Sequence, residues 1–132
     1  MIIKKLLTKT IIFILCLISF KVLSEEIEFS STNINLENEG KVIKAFNSEA
    51  KIPSKKIEIK SNKAEYIKKN KILVLKNNLI FKDNLKDIII KSDKIKYEYK
   101  KDLIFSKGNT EIRVKNNYLI NSNEIFYDRK KS

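Results

Sequence analysis

The sequence contains no histidine and only one cysteine, Cys16, in 132 residues. Most catalytic triads and most zinc sites need histidine or cysteine, so this scarcity excludes the majority of such sites. A single cysteine also cannot form a disulfide within the chain. An enzyme would have to rely on carboxylates alone, and no pair of Asp or Glu residues stands out. We therefore expect a protein that is not an enzyme and that needs no metal or cofactor.

Proline and glycine are almost as rare, with Pro53, Gly40 and Gly108 as the only examples. Helix caps are few, β-branched residues are frequent, and apolar and polar residues alternate strictly over many short segments beyond residue 24. Alternation with a period of two is typical of strands with one buried face. The sequence therefore predicts an all-β domain over residues 25–132.

The N-terminal segment, residues 1–24, has a different pattern. Lys4 and Lys5 precede an apolar run, Ile11–Phe20, and the small residue Ser24 follows, with Val22 two positions before it. The apolar run is shorter than the ~20 residues that a membrane-spanning helix needs. We interpret residues 1–24 as a helical signal peptide that is cleaved after Ser24 and directs the chain to the periplasm. An uncleaved N-terminal anchor is the alternative.

Acidic residues are too few to balance the lysines. The formal net charge is +12, and it is still +8 after residues 1–24, which hold four lysines and no acid, are removed. A basic exported chain can bind a membrane surface, an acidic lipid headgroup or nucleic acid. The alternative is a solvated lysine coat, which would also discourage aggregation between strand edges.

A repeat runs through the rest of the chain and is anchored on four almost evenly spaced serines, Ser31, Ser61, Ser92 and Ser122. Each serine follows an apolar pair in one phase and precedes an apolar pair in the opposite phase. These pairs are Ile27/Phe29 and Ile34/Leu36, Ile57/Ile59 and Ala64/Tyr66, Ile88/Ile90 and Ile95/Tyr97, and Tyr118/Ile120 and Ile125/Tyr127. A fixed period of this length indicates stacked units that cover each other's apolar faces.

The second half of each unit contains a second predicted phase change. Leu103 and Phe105 are at odd positions and Ile112 is at an even one, with Gly108–Asn109 between them. Glycine and asparagine tolerate positive φ, so we predict a bulge or bend there. The equivalent positions are Asn47–Ser48 and Asn77–Asn78, and the first unit slips by one residue to put Ala50 and Ile52 in the apolar phase. Each unit is then two bent strands of a sheet that folds over and keeps an apolar lining on both walls.

These segments resemble a known family. IEIKSNKAEYIKKNKILVLKNNLIF and IIIKSDKIKYEYKKDLIFSKGNTEI are similar to the OstA-type periplasmic domain, the family that includes the lipopolysaccharide-transport protein LptA and the N-terminal domain of LptD. The resemblance covers residues 25–132. It implies a repetitive, antiparallel, twisted open jellyroll (the "β-taco") in which each serine-anchored repeat is one unit. Two features depart from the pattern: the Gly-Asn bend is complete only at Gly108–Asn109, and the chain ends within its fourth unit. Both a free LptA-like bridge and the start of an LptD therefore stay open.

The resemblance also implies a function without chemistry, in which the groove guides lipopolysaccharide to the outer membrane and the edge strands stack on other Lpt-type β domains. The lipid A acyl chains would lie against Ile34, Leu36, Ile59, Tyr66, Ile90, Ile95, Tyr97, Phe105, Ile112, Ile120, Ile125 and Tyr127. The same residues could instead form the dry core of a small sandwich, and the protein could be a periplasmic scaffold that binds only proteins. We expect no nucleic-acid partner, because the tyrosines share the apolar phase and do not alternate with basic residues on an exposed face.

Overall fold

A computed structural model describes residues 27–132, which form eight antiparallel strands and one short 3-10 turn at Pro53–Lys55. The predicted signal peptide lies outside these residues. The strands are β1 (Glu28–Ser30), β2 (Asn33–Glu37), β3 (Val42–Ile52), β4 (Ile57–Ile67), β5 (Ile72–Asp83), β6 (Ile88–Glu98), β7 (Leu103–Val114) and β8 (Tyr118–Asp128). The prediction of an all-β open sheet is confirmed.

All strands belong to one sheet with the order β1-β3-β4-β5-β6-β7-β8. Strand β2 also pairs with β3, on the same side as β1. Strand β1 pairs with residues 49–51 and β2 pairs with residues 42–46, so the bend of β3 lies between the two pairings. The strands β3–β8 all bend near their middle and divide the sheet into two walls. We call the half that contains β1 the β1 wall and the half that contains β2 the β2 wall.

The serine anchors lie at the bends and change the phase of burial as predicted. In β4 the buried positions are Ile57, Ile59 and Ser61, and then Ala64. The side chains of Ser31, Ser92 and Ser122 each donate a hydrogen bond to the backbone carbonyl two residues further on, at 2.8, 3.2 and 2.9 Å. A hydroxyl that bonds to its own local backbone favours a bend over a straight strand, which explains the regular spacing of these serines.

The second predicted phase change is wrong for β5 and β7. In β7 the buried residues are Ile104 and Ser106 before the bend and Thr110 and Ile112 after it, all at even positions. The reason is that β5 and β7 each carry one extra residue at the bend, where Asn77 and Asn78 face Asp93 alone, and Gly108 and Asn109 face Asn123 alone. A simple bend would move the inward-facing residues from even to odd positions or the reverse, and one extra residue at the bend cancels that change.

The first unit behaves as predicted, because β3 pairs with β4 without an extra residue and Ala50 and Ile52 are buried. The residues predicted to tolerate positive φ also adopt it: φ is 47° at Asn47, 63° at Asn77 and 90° at Gly108.

Candidate functional site

The space between the two walls is filled by apolar side chains from both. Phe81 of the β1 wall contacts Tyr97 of the β2 wall edge to face, with ring centroids 5.8 Å apart. Near β1, Phe29 approaches Tyr66 in a tilted arrangement at 5.9 Å. Aromatic pairs in such geometry add to the free energy gained by burying their area. The walls are therefore packed on each other along the interior.

The predicted groove residues divide by position along this interior. The buried group consists of Ile59, Ile90, Ile95, Tyr97 and Ile112, the last of which is 8% exposed. The partly buried group, packed against the core, consists of Tyr66, Ile125 and Tyr127. The exposed group consists of Ile34, Leu36 and Ile120. The centre of the interior is thus closed and packed, while its ends are exposed.

Phe105 is the exception among the predicted groove residues, because the sheet places it on the outer face. It pairs with Phe126 across the β7–β8 ladder, with ring centroids 5.0 Å apart, while its neighbours Ile104 and Ser106 are buried inside. The three consecutive apolar residues from Leu103 to Phe105 fit either phase, so alternation alone could not assign the inner one.

The interior surface is open at its two ends. Residues of the inner face are 48% exposed at Ile34 and 65% at Leu36, next to the first edge, and 51% at Ile120 and 67% at Tyr118, on the last strand. Ladder pairing continues this face from end to end, because Phe29, Ala50, Ile59, Phe81, Ile90, Ile112 and Ile120 are paired in succession. Within residues 27–132, the apolar inner face, which we call the apolar stripe, therefore crosses the molecule, and its exposed residues belong to the β2 wall at the first edge and to the β1 wall at the last.

A buried ion cluster joins the free margins of the two walls. Arg129 follows β8 on the β2 wall, and its Nε and Nη2 donate to the two carboxylate oxygens of Asp83 at 2.6 and 3.2 Å. Asp83 ends β5 at the margin of the β1 wall. Arg129 Nη1 also donates to both oxygens of Asp102, at 2.9 and 2.8 Å. Two carboxylates on one guanidinium hold it in a fixed orientation.

Lys55 completes the cluster from the β1 wall. Its Nζ lies 3.4 Å from Asp102 Oδ1 and donates to the Tyr97 hydroxyl at 3.2 Å and to the Tyr99 carbonyl at 2.7 Å. Two cations and two anions balance each other, and no buried side-chain nitrogen or oxygen in residues 27–132 lacks a hydrogen-bond partner. We call Lys55, Asp83, Asp102 and Arg129 the clasp, since they link the walls where the folded sheet would open.

Burial and hydrogen bonds in the clasp shift the acidity of Asp102, Arg129 and the neighbouring Tyr97. Burial opposes the charge of Asp102, but hydrogen bonds from Tyr97 and Arg129 outweigh this, so the pKa of the Asp102 carboxyl is lowered. Burial raises the pKa of the Tyr97 hydroxyl, and its hydrogen bond to Asp102 raises it further. Burial alone would lower the pKa of the Arg129 guanidinium, but the two carboxylates raise it. Asp102 and Arg129 are therefore held in their ionised forms at neutral pH.

Sequence reasoning missed the clasp, although a signal was present. The buried phase of β5 runs through Leu79 and Phe81 to Asp83, and that of β8 runs through Ile125 and Tyr127 to Arg129. A charged residue at the next alternate position after a series of inward-facing residues predicts a buried ion pair, because a buried charge needs a partner.

Elsewhere on the described part of the chain, the bends form a polar depression. A depression of about 1010 Å³ follows the bends from β5 to β8, and polar side chains such as Asn78, Asp93 and Asn109 line it. Within residues 27–132, no group of three or more acidic, His or Cys side chains could hold a metal ion. In the same part of the chain, no helix has the length and apolar character to cross a membrane.

Comparison with known proteins agrees with this architecture. The crystal structure of LptH, the LptA homologous periplasmic component of the conserved lipopolysaccharide transport device from Pseudomonas aeruginosa, superposes with a TM-score of 0.66 at 12% sequence identity. The match covers 79% of this chain and 76% of LptH, and at that identity it is a likeness of fold. No match was found among curated proteins. A family model described as "Lipopolysaccharide-assembly, LptC-related" matches residues 17–132. The chain therefore belongs to the LptC-related family of lipopolysaccharide-assembly proteins.

Proposed function

We propose that the chain is a periplasmic component of a lipopolysaccharide-transport bridge that holds acyl chains along its inner face. The observation that carries this proposal is the apolar stripe that crosses the molecule and is exposed at Ile34 and Leu36 on one side and at Tyr118 and Ile120 on the other. An acyl chain lying on it would gain about 25 cal/mol for each Å² of apolar surface buried. The other predicted groove residues would line the same path once the walls separate, Phe105 excepted.

The same stripe supports docking to neighbouring Lpt-type β domains. Among residues 27–132, strand β8, of eleven residues, forms one edge of the sheet, and β1 and β2 form the opposite edge. Such edges accept a further strand from a partner. Stacking in this way would join the exposed inner residues of one domain to those of the next, so that lipid could pass between them.

Photo-crosslinking in cells tests the cargo. A crosslinker at Leu36, Tyr66 or Ile120, on the inner face, should capture lipopolysaccharide. The matched controls are Phe105 and Lys68, one on the outer face and one in a turn. Equal capture at inner and outer positions would refute the lipid path.

A scaffold that binds only proteins is the second candidate, and the closed centre favours it. Ile90, Ile95 and Tyr97 have no exposed surface, and the clasp links the margins above them. The lipid-carrier proposal therefore requires the walls to part. Self-association together with an absence of lipid at every inner position would leave the scaffold as the function.

The place of the chain within the bridge depends on its N-terminus. We propose that residues 1–24 are cleaved on export and that residues 25–132 act as the bridge domain, either as a free LptA-like piece or as the start of an LptD-like protein. N-terminal sequencing of the protein from cells decides this. A retained segment that fractionates with membranes would instead assign it an anchored, LptC-like position.

A further inference from the structure

Four lysines stand in register on the outer face of the β2 wall. Lys63 of β4 lies opposite Lys76 of β5, Lys76 lies opposite Lys94 of β6, and Lys94 lies opposite Lys107 of β7. All four side chains are exposed. Neighbouring strands are about 4.8 Å apart, so this lysine ladder places four positive charges across roughly 15 Å of surface.

The ladder has no internal compensation. Like charges directly opposite one another destabilise a sheet. None of the ten ion pairs formed by residues 27–132 involves these four lysines. Carboxylates close to the ladder in register or in sequence are Glu124, opposite Lys107 at its end, Glu65, two residues after Lys63, and Asp93, which precedes Lys94 at the bend. The ladder therefore remains strongly positive.

The β1 wall is built differently, which argues against a uniform lysine coat. There Lys60 pairs with Glu49 at 2.7 Å, and Lys91 lies opposite Glu111. Signs are interspersed on that wall, whereas on the β2 wall the ion pairs Lys44–Glu37 and Lys96–Glu98 lie outside the row that the four lysines occupy. The concentration of unpaired lysines on the β2 wall is therefore a local feature.

Three apolar side chains accompany the ladder on the same face. Val74, Phe105 and Phe126 belong to the next row of the sheet, which also contains Glu65 and Lys96, and Phe126 is 59% exposed. Two shallow grooves, of about 340 and 220 Å³, lie along the ladder, and each combines lysines with apolar side chains, among them Val74. Lysines beside exposed aromatic rings are typical of surfaces that sit at the headgroup level of a bilayer.

We propose that the outer face of the β2 wall docks on a membrane surface that contains anionic phospholipids, with the ladder at the phosphates and Phe126 at the interface. A single-stranded nucleic acid fits less well. Its bases need a free aromatic face, whereas Phe105 packs against Phe126 and carries Lys96 Nζ at 4.7 Å from its ring centroid. The docking surface is separate from the inner face and does not depend on lipid cargo.

Vesicle co-sedimentation at low salt tests this proposal on the protein purified as cells produce it. One set of vesicles is phosphatidylcholine alone, and the other adds phosphatidylglycerol. The ladder variant changes Lys63, Lys76, Lys94 and Lys107 to Gln. The control variant changes Lys51, Lys60, Lys82 and Lys91 of the β1 wall to Gln, so both variants lose the same charge. Any contribution of residues 1–26 is common to all of them.

The wild type should bind the anionic vesicles, release at high salt, and bind the neutral ones weakly. Each ladder lysine lost should weaken binding about fivefold, so the ladder variant should lose several-hundredfold, and the control far less. Phe126→Ser, which keeps the charge, should weaken binding about tenfold or less. The ladder variant should unfold at the same or a higher temperature than wild type, because the like-charge repulsion between three neighbouring lysine pairs outweighs the attraction of Lys107 to Glu124.

Three results would overturn the proposal. Equal losses in the ladder and control variants would attribute binding to net charge. No binding of the wild type to anionic vesicles would exclude the surface as a membrane contact. Ladder-dependent binding of a single-stranded oligonucleotide or of inorganic phosphate, with none to vesicles, would assign the ladder to another ligand.

Discussion

At the scale of single residues, Arg129 is the side chain that joins the most distant parts of the chain. It links Asp83, 46 residues earlier, to Asp102 and also donates to the Lys55 carbonyl at 3.1 Å. Breaking a buried ion pair is costly because the remaining charge stays desolvated. The clasp is thus held by one guanidinium whose loss leaves Asp83 buried without its counterion.

We expect Arg129→Met to lower the free energy of unfolding by about 3–5 kcal/mol. The matched control is Arg113→Met, because Arg113 is exposed and its Nη2 lies 3.8 Å from Glu111, so its loss should cost about 0–1 kcal/mol. Urea denaturation followed by circular dichroism measures both. Similar costs for the two arginines would mean that the clasp adds no stability.

The pH dependence of stability follows from the same residues. The folded state lowers the pKa of Asp102 from its ordinary value of 3.8, so its contribution is present above about pH 4 and is lost as the pH falls below that. The pKa of Tyr97 is raised above 10.0, so stability should also fall as the pH rises past about 10. The sequence has no histidine, so we expect a plateau between about pH 5 and 8.

Thermal unfolding across the acid, neutral and alkaline ranges measures this profile. Asp102→Asn should flatten the acid limb and leave the plateau in place. An unfolding transition centred near neutral pH would contradict the assignment.

At the scale of the strands, the bends decide which side chains face inward. Gly108 sits at the bend of β7 with φ of 90°, and a Cβ there would clash with the side chain of Asp93. Asp93 cannot simply move away, because its carboxylate accepts a hydrogen bond from the Asn109 backbone N–H at 2.9 Å. The bend therefore requires glycine for two reasons, its conformation and the close approach of β6.

Gly108→Ala should consequently destabilise the protein by about 2–4 kcal/mol, through strain at positive φ and the loss of the Asp93 contact. Gly40→Ala is the control, because Gly40 has a similar φ of 78° but no atom within 4 Å of the added carbon, so strain of about 1 kcal/mol should be its whole cost. Chemical denaturation compares them. Equal losses would show that the approach of Asp93 is unimportant.

The strands also show which parts of the fold could be predicted from the sequence and which could not. The serine bends were predictable because apolar and polar residues alternate cleanly around Ser61 and Ser92, and burial follows that alternation. The residues of β7 that face inward could not be predicted from the sequence. The apolar run at the start of β7 is compatible with either alternation, and the extra residue at Gly108–Asn109 becomes visible only when β7 is paired with β8. The lysine ladder was equally hidden, since its members come from four different strands and meet only through strand register.

At the scale of the whole molecule, the two edges should control association. Ile120 and Leu119 are neighbours on β8 and are about equally exposed, at 51% and 56%, but Ile120 continues the inner face and Leu119 the outer one. If domains stack so that their inner faces join, Ile120→Asp should weaken self-association or binding to an Lpt-type partner about tenfold or more, and Leu119→Asp much less. Analytical ultracentrifugation measures the difference. Equal effects, or a wild type that stays monomeric at high concentration and ignores such partners, would remove the support for stacking.

The clasp should also control how far lipid can enter the interior. Acyl chains can reach Tyr97 only if the margins of the walls separate, because Tyr97 is fully buried and Lys55 and Asp102 close the space above it. Lys55→Met removes the lysine's hydrogen bonds across the margin while keeping its length and much of its apolar stem, and it leaves the buried Arg129–Asp83 pair intact. A crosslinker near the centre of the interior, at Ile95, should therefore capture more lipopolysaccharide in Lys55→Met than in the parent protein, whereas capture at the exposed Leu36 should change little.

The control is Lys60→Met, because the ion pair of Lys60 with Glu49 lies on the outer face of the β1 wall. If both lysine variants leave capture at Ile95 unchanged while Leu36 still captures lipid, the acyl chains travel along the exposed ends of the stripe and the clasp is only a stabilising element.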